Sequence, residues 1–175
     1  MRKIRMGMVG GGEGAFIGAI HRIAAALDGE VDLVCGAFSS DSERATRAGV
    51  SLYISPERTY TDYQEMMRAE SALPANQRMQ FVAIVTPNHL HFPVAEAALR
   101  TSFHVLSDKP ATFNLDEALR LRAVVEETGQ LYGLTHTYTG YPLVKEARAR
   151  VAAGELGAIR KVVVEYPQGW LADAQ

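Results

Sequence analysis

Val9-Gly10-Gly11-Gly12-Glu13-Gly14-Ala15-Phe16-Ile17-Gly18 is the stretch on which the fold turns. It follows an apolar run at 4–9 and leads into Phe16, Ile20, Ile23 and Leu27, whose i, i+4, i+7, i+11 spacing marks one face of a helix. Such a glycine turn between a strand and a helix leaves backbone N–H groups and the positive helix end free to meet a phosphate. Gly10 permits the tight turn, and Gly12 lets the backbone come close to a diphosphate. Glu13, Gly14, Ala15, Phe16 and Ile17 complete the candidate loop. The spacing departs from plain G-x-G-x-x-G: alanine stands at 15 and the next glycine is Gly18, which suggests a longer loop. A merely flexible turn is the alternative.

Outward from this stretch, short β-rich runs alternate with helical periods. Strands are expected at 31–38, 81–85, 103–106 and 131–135, with a final β-rich run at 159–166. Asp28-Gly29, Gly49 and Gly154 read as helix stops. Ser40-Asp41-Ser42-Glu43 reads as a capping box with serine as the cap, and Thr61-Asp62-Tyr63-Gln64 repeats the signature. Asn88 and Asn114 are expected caps, with Ala118, Leu121 and Val125 turned inward after the second. Pro74, Ala75 and Asn76 mark 71–80 as a surface loop. The alternation predicts an α/β fold: a Rossmann-type, doubly wound parallel sheet with helices on both faces. The last β-rich run falls outside that pattern. It predicts the first strand of a second α/β domain that is cut short, with the Rossmann domain at 1–157 and the start of the next at 158–175, where Trp170 stands without partner elements.

Composition narrows the function classes. Hydrophobic residues are 47% and charged residues 22% of 175, and the net charge is −2 with both signs mixed. No basic stripe points to nucleic acid, and no apolar run has the length of a membrane helix. The charged start, Met1-Arg2-Lys3-Ile4-Arg5, runs into glycines rather than a signal-peptide cleavage site. One cysteine, Cys35, excludes an internal disulfide and reads as a buried small hydrophobe, so a cytoplasmic location is expected.

Three further segments carry chemistry. After the second strand, Ser39 and Ser40 stand where an NAD binder usually places an acid, with Arg44 one turn on. Small hydroxyls and an arginine suit a 2′-phosphate, so NADP is slightly favoured over NAD; Ser40 as a plain cap, or Asp41 reaching the ribose, are the alternatives. Thr86-Pro87-Asn88-His89-Leu90-His91 follows the 81–85 strand, in position to line a ligand crevice. Thr86, Pro87, Asn88 and His91 are candidate cofactor contacts. The two histidines lie on different faces of a helix and have no further ligands at suitable spacing, so no metal is expected. Ser107-Asp108-Lys109-Pro110 follows the next strand. Lys109 is placed to move a proton at a substrate hydroxyl, with Asp108 beside it. Free lysine titrates near ~10.4, and the cationic ring of an oxidised nicotinamide would lower that value. A solvated lysine before a turn proline is the alternative.

Together these residues resemble the Gfo/Idh/MocA oxidoreductase family, most specifically through Thr86–His91, Asp108-Lys109-Pro110, Gly154-Glu155-Leu156-Gly157 and Ile159-Arg160-Lys161-Val162. The family tripeptide is Glu-Lys-Pro, and aspartate here shortens the reach. The resemblance implies a two-domain NAD(P)-dependent enzyme. Its second domain binds substrate and forms homo-oligomers, and hydride passes between nicotinamide and a carbinol carbon of a sugar, cyclitol or related polyol. It implies that Lys109 handles the hydroxyl proton, helped by an acid and a histidine from the second domain. It also implies that 134–142 borders the nicotinamide, which makes His136, Tyr138 and Tyr141 substrate-side candidates beside a packing role. Family members are about twice as long, so turnover by this chain alone is not expected. A non-catalytic NAD(P)-binding or regulatory module is the rival reading. A methyltransferase is a third, and it gives the lysine-proline segment no purpose.

Overall fold

Strands of almost wholly apolar residues are stable only where both sheet faces are covered. The computed structural model, which describes residues 3–167 and 169, pairs six strands in one sheet, of which β4 (Phe81–Val85) is wholly apolar. These are β1 (Ile4–Gly10), β2 (Val31–Ala37), β3 (Thr59–Tyr60), β4 (Phe81–Val85), β5 (His104–Ser107) and β6 (Tyr132–Leu134). Every pair is parallel, in the order β3-β2-β1-β4-β5-β6. The crossover direction reverses between β1 and β4, where Gly10 pairs with Val85. Such a switch point opens a crevice at the carboxyl ends of the strands.

The helices are α1 (Phe16–Ala26), α2 (Ser42–Ser51), α3 (Tyr63–Ala72), α4 (His91–Arg100), α5 (Leu115–Thr128) and α6 (Pro142–Ala152). Alternate strand residues feed two cores. Met6, Met8, Ala83 and Val85 pack with Ile17 of α1 and Ala48 of α2. Val9, Cys35, Val82 and Ile84 pack with Met66 and Met67 of α3, Val94 and Ala98 of α4, and Leu121 and Val124 of α5. Cys35 is free and buried, and burial pushes its thiol well up. The α1 stripe read from the sequence faces away from the sheet: Phe16, Ile20, Ile23 and Leu27 are exposed, and the helix turns Gly18 inward.

Several local expectations are corrected. Asp41, not Ser40, caps α2, its carboxylate accepting from Arg44 N–H at 2.8 Å, and Asp62, not Thr61, caps α3. In both cases the aspartate stands one residue nearer the helix. Asn114 caps α5 as expected, whereas Asn88 begins a 3-10 turn and makes no side-chain cap. Gly49 does not end α2: the helix continues to Ser51, and a Cβ there would stand 2.4 Å from Thr59 Oγ1. Its glycine serves a close helix–strand approach. The 71–80 loop begins after Ala72 and is anchored rather than free, because Arg5 donates to the carbonyls of Arg78 and Ala75 and Met79 is fully buried.

The chain divides into two compact units between Thr135 and His136. Among the described residues β6 is the last strand of the ladder, and α6 buries none of its residues. Among the described residues, 159–166 forms no strand. Trp170 lies outside the described residues. No helix among them is long and apolar enough to cross a membrane.

Candidate nucleotide site

The β1–α1 turn is built so that backbone lies where side chains would otherwise stand. Gly10, Gly11 and Gly14 have φ of 81°, 72° and 77°, in the left-handed region that glycine tolerates. A Cβ at Gly10 would stand 2.8 Å from the Val85 carbonyl oxygen, and one at Gly12 would stand 2.9 Å from that of Phe38. The third glycine of the usual pattern is supplied by Gly18: a Cβ there would stand 2.4 Å from Gly11 Cα, so Gly18 lets α1 press against the loop. Arg22, which the sequence reading did not single out, donates to the Gly11 carbonyl at 2.7 Å and fixes the turn from the far side. Ala15 gives α1 no side-chain cap, and no acid stands in its first turn. The N-terminal N–H groups are therefore left to an anion.

Beside the turn lies a crevice of about 470 Å³ over the carboxyl ends of β1, β2 and β4. Gly10, Gly12, Glu13, Ala15, Ser39, Ser40, Arg44, Thr86 and Pro87 all line it, as read from the sequence. Phe38, Thr61, Tyr63 and Leu90 line it too and were not foreseen. Gly14 and Phe16 border instead a larger groove of about 790 Å³ between α1 and α2, away from the strand ends. Ile17 packs under the helix against the Met6–Met8 core, because the first turn of α1 carries it toward the sheet. Glu13 is tied to Arg47 of α2 at 3.2 Å, so its charge is directed at the helix.

Around the crevice the polar groups are placed unequally. Asp41 spends its carboxylate on the α2 cap, and its own N–H donates to Ser39 Oγ at 3.1 Å. Thr86 Oγ1 is buried with no hydrogen-bond partner among the described residues. A hydroxyl held dry at a crevice wall fits an incoming polar ligand. Asn88 and His89 are exposed in the turn that follows, whereas His91 is 1% exposed and gives both ring nitrogens to backbone carbonyls. The His91 ring, read from the sequence as a cofactor contact, does not line the crevice and faces backbone on both sides.

After β5, Asp108 N–H continues the ladder to the Ile84 carbonyl at 2.9 Å. Its carboxylate accepts from Thr135 Oγ1 at 2.8 Å. Lys109 is exposed at the end of that strand. Burial lowers the pKa of His21 on α1, and the Asp108 carboxylate opposes that shift. Nothing in the spacing of the sequence links positions 21 and 108.

The glycine cradle and the orphaned Thr86 hydroxyl fit a dinucleotide, and the comparisons agree. A family model described as an oxidoreductase family with an NAD-binding Rossmann fold, GFO_IDH_MocA, matches residues 4–136. The chain belongs to this family. It is 35% identical over 172 residues to the uncharacterised oxidoreductase YfiI of Bacillus subtilis, covering 98% of the chain and 43% of that protein. An oxidoreductase structure from Sinorhizobium meliloti superposes with a TM-score of 0.85 at 46% identity, over 91% of this chain and 44% of that one. An inositol dehydrogenase homologue from Azotobacter vinelandii, solved with NADH and myo-inositol, superposes with a TM-score of 0.86 at 42% identity, over 91% and 41%. The chain spans less than half the length of these GFO_IDH_MocA relatives.

In the second unit, Tyr138 packs edge-on to Tyr141 and to Tyr166, with ring centroids 5.6 Å apart in both pairs. The hydroxyls of Tyr138 and Tyr166 are hydrogen-bonded to each other, which raises the pKa of Tyr138. His136 precedes the 3-10 turn that carries Tyr138.

Proposed function

We propose that the chain is the cofactor-binding part of an NAD(P)-dependent dehydrogenase acting on the carbinol carbon of a sugar, cyclitol or related polyol. The observation that carries this reading is the turn at the switch point, where Gly10, Gly11, Gly12 and Gly18 leave no room for a Cβ, flanked by a Thr86 hydroxyl with no partner among the described residues. The Azotobacter homologue solved with NADH and myo-inositol supports the substrate class.

In this reading the amides of Gly10–Gly18 hold the diphosphate, and Thr86 and Pro87 border the nicotinamide side of the crevice. The bound nicotinamide supplies a hydride acceptor at its ring. Lys109 takes the proton from the substrate hydroxyl as the carbinol carbon gives up its hydride. Asp108, anchored by Thr135, keeps that strand end in place. His136, Tyr138 and Tyr141 contribute the substrate side, with a second domain that begins within 158–175 and assembles into oligomers. Ser40 and Arg44 favour NADP, because Asp41 is occupied as a cap and Arg44 has no carboxylate partner among the described residues. The free buried Cys35 accords with a cytoplasmic setting.

Calorimetric titration with NADP+ and NAD+ tests the reading: saturable binding of both, tighter for NADP+, is expected. No heat from either at millimolar nucleotide removes the proposal. In a form that carries a second domain, Lys109→Met should abolish hydride transfer while nucleotide affinity stays within about twofold. Unimpaired turnover would refute the lysine's role.

A further inference from the structure

His91 opens α4 and is 1% exposed. Its Nε2 faces the Thr86 carbonyl oxygen at 2.9 Å, and its Nδ1 faces the Pro110 carbonyl oxygen at 2.5 Å. Those carbonyls belong to different loops. Thr86 follows β4 and lines the crevice, and Pro110 follows Lys109 after β5. A carbonyl oxygen accepts only and a neutral imidazole carries one N–H, so the ring donates to one carbonyl or the other according to its tautomer, and to both only when doubly protonated. A phenylalanine would fill a similar volume and bridge nothing. A backbone carbonyl in a loop also lacks the ladder partner that a strand would give it, so a side chain that reaches two of them fixes both loops.

We propose that His91 is a positioning residue: its ring straps the Lys109 loop to the Thr86 loop and so sets both relative to the bound nucleotide. It touches neither nucleotide nor substrate. The inference rests on the cofactor reading above only for the consequence of the strap, since the strap itself is a feature of the two loops. Losing one hydrogen bond of ordinary strength loosens a loop by about fivefold in its opening equilibrium. The effect should stay local, because α4 is held separately by Phe92, Val94 and Ala98 in the core.

The experiment uses the 175-residue chain as wild type, His91→Gln and His91→Phe. Backbone amide exchange across 105–113 is followed by mass spectrometry, and NADPH binding by calorimetry. In H91F, exchange in that segment should quicken about fivefold or more, and the NADPH Kd should rise by about the same factor. Exchange in α3 should not change. H91Q keeps a donor for one carbonyl and should fall between the two. Wild-type exchange in 105–113 for both variants overturns the strap. If neither variant folds, NMR of the wild type decides: a ring N–H coupling to the Thr86 or the Pro110 carbonyl carbon supports the strap, and absence of both overturns it. Failure of the wild type to bind NADPH would remove the cofactor reading, while the exchange data would still judge the strap.

Discussion

Gly12 has no room for a side chain, since its missing Cβ would stand 2.9 Å from the Phe38 carbonyl and 3.3 Å from Phe38 Cβ. Backbone cannot swing aside as a side-chain tip can. Gly12→Val should therefore weaken NADPH binding by about tenfold or more in calorimetry, by moving the loop off the phosphate position. Unchanged affinity would mean the diphosphate lies elsewhere. Asp108 offers a second test at this scale. Its carboxylate raises the pKa of His21 against the larger lowering by burial. Asp108→Asn removes the raising influence and leaves burial, so the His21 midpoint followed by NMR should fall. A rise would contradict the placement. Individual contacts were unequally legible in the sequence. Gly10 and Gly12 announce themselves as part of a glycine cluster between a strand and a helix, and Lys109 because it stands at a strand end. His21 and Arg22 carry no such mark: both look like polar residues of an amphipathic helix, and only the fold brings Arg22 to Gly11 and His21 to the field of Asp108.

Elements were easier to read than their ends. Length and apolar run identify β4, whereas the two-residue β3 gives no period to detect. Gly49 shows why a stop signal misleads: glycine also serves where a helix must approach a strand, here Thr59. The least visible feature is Glu70. On sequence it is one of several acids on a surface helix, yet it is fully buried. It accepts from Arg58 Nε at 2.9 Å and Nη2 at 2.6 Å, and from the Met79 N–H at 3.0 Å. One carboxylate thereby joins α3, the turn before β3 and the approach to β4. Burial and the neighbouring Glu70 carboxylate together push the Tyr60 hydroxyl well up, so it remains a neutral donor. Glu70→Ala strands the Arg58 guanidinium and should cost about 3 kcal/mol in urea unfolding. Replacing both, as Arg58→Leu with Glu70→Leu, should recover much of that loss. A single alanine variant as stable as wild type would show the network to be idle.

At the scale of the whole molecule, the parallel sheet follows from alternation alone, because a crossover between parallel strands needs a helix and is right-handed. The order β3-β2-β1-β4-β5-β6 then places the glycine turn at the reversal. What alternation does not set is the extent of the unit. Residues 159–166 have strand composition, but composition without a neighbouring strand makes no ladder. The exposed α1 stripe likewise has helical spacing without a core to face. The central claim is that the amides of 10–18 converge on the diphosphate of a dinucleotide. An NMR titration of the 15N-labelled chain with NADP+ addresses it residue by residue. Saturable shifts at the amides of Gly10–Gly18, with smaller ones at Ser39, Ser40 and Thr86 and none along the outer face of α5, are predicted. Shifts centred elsewhere, or none at millimolar nucleotide, would contradict it.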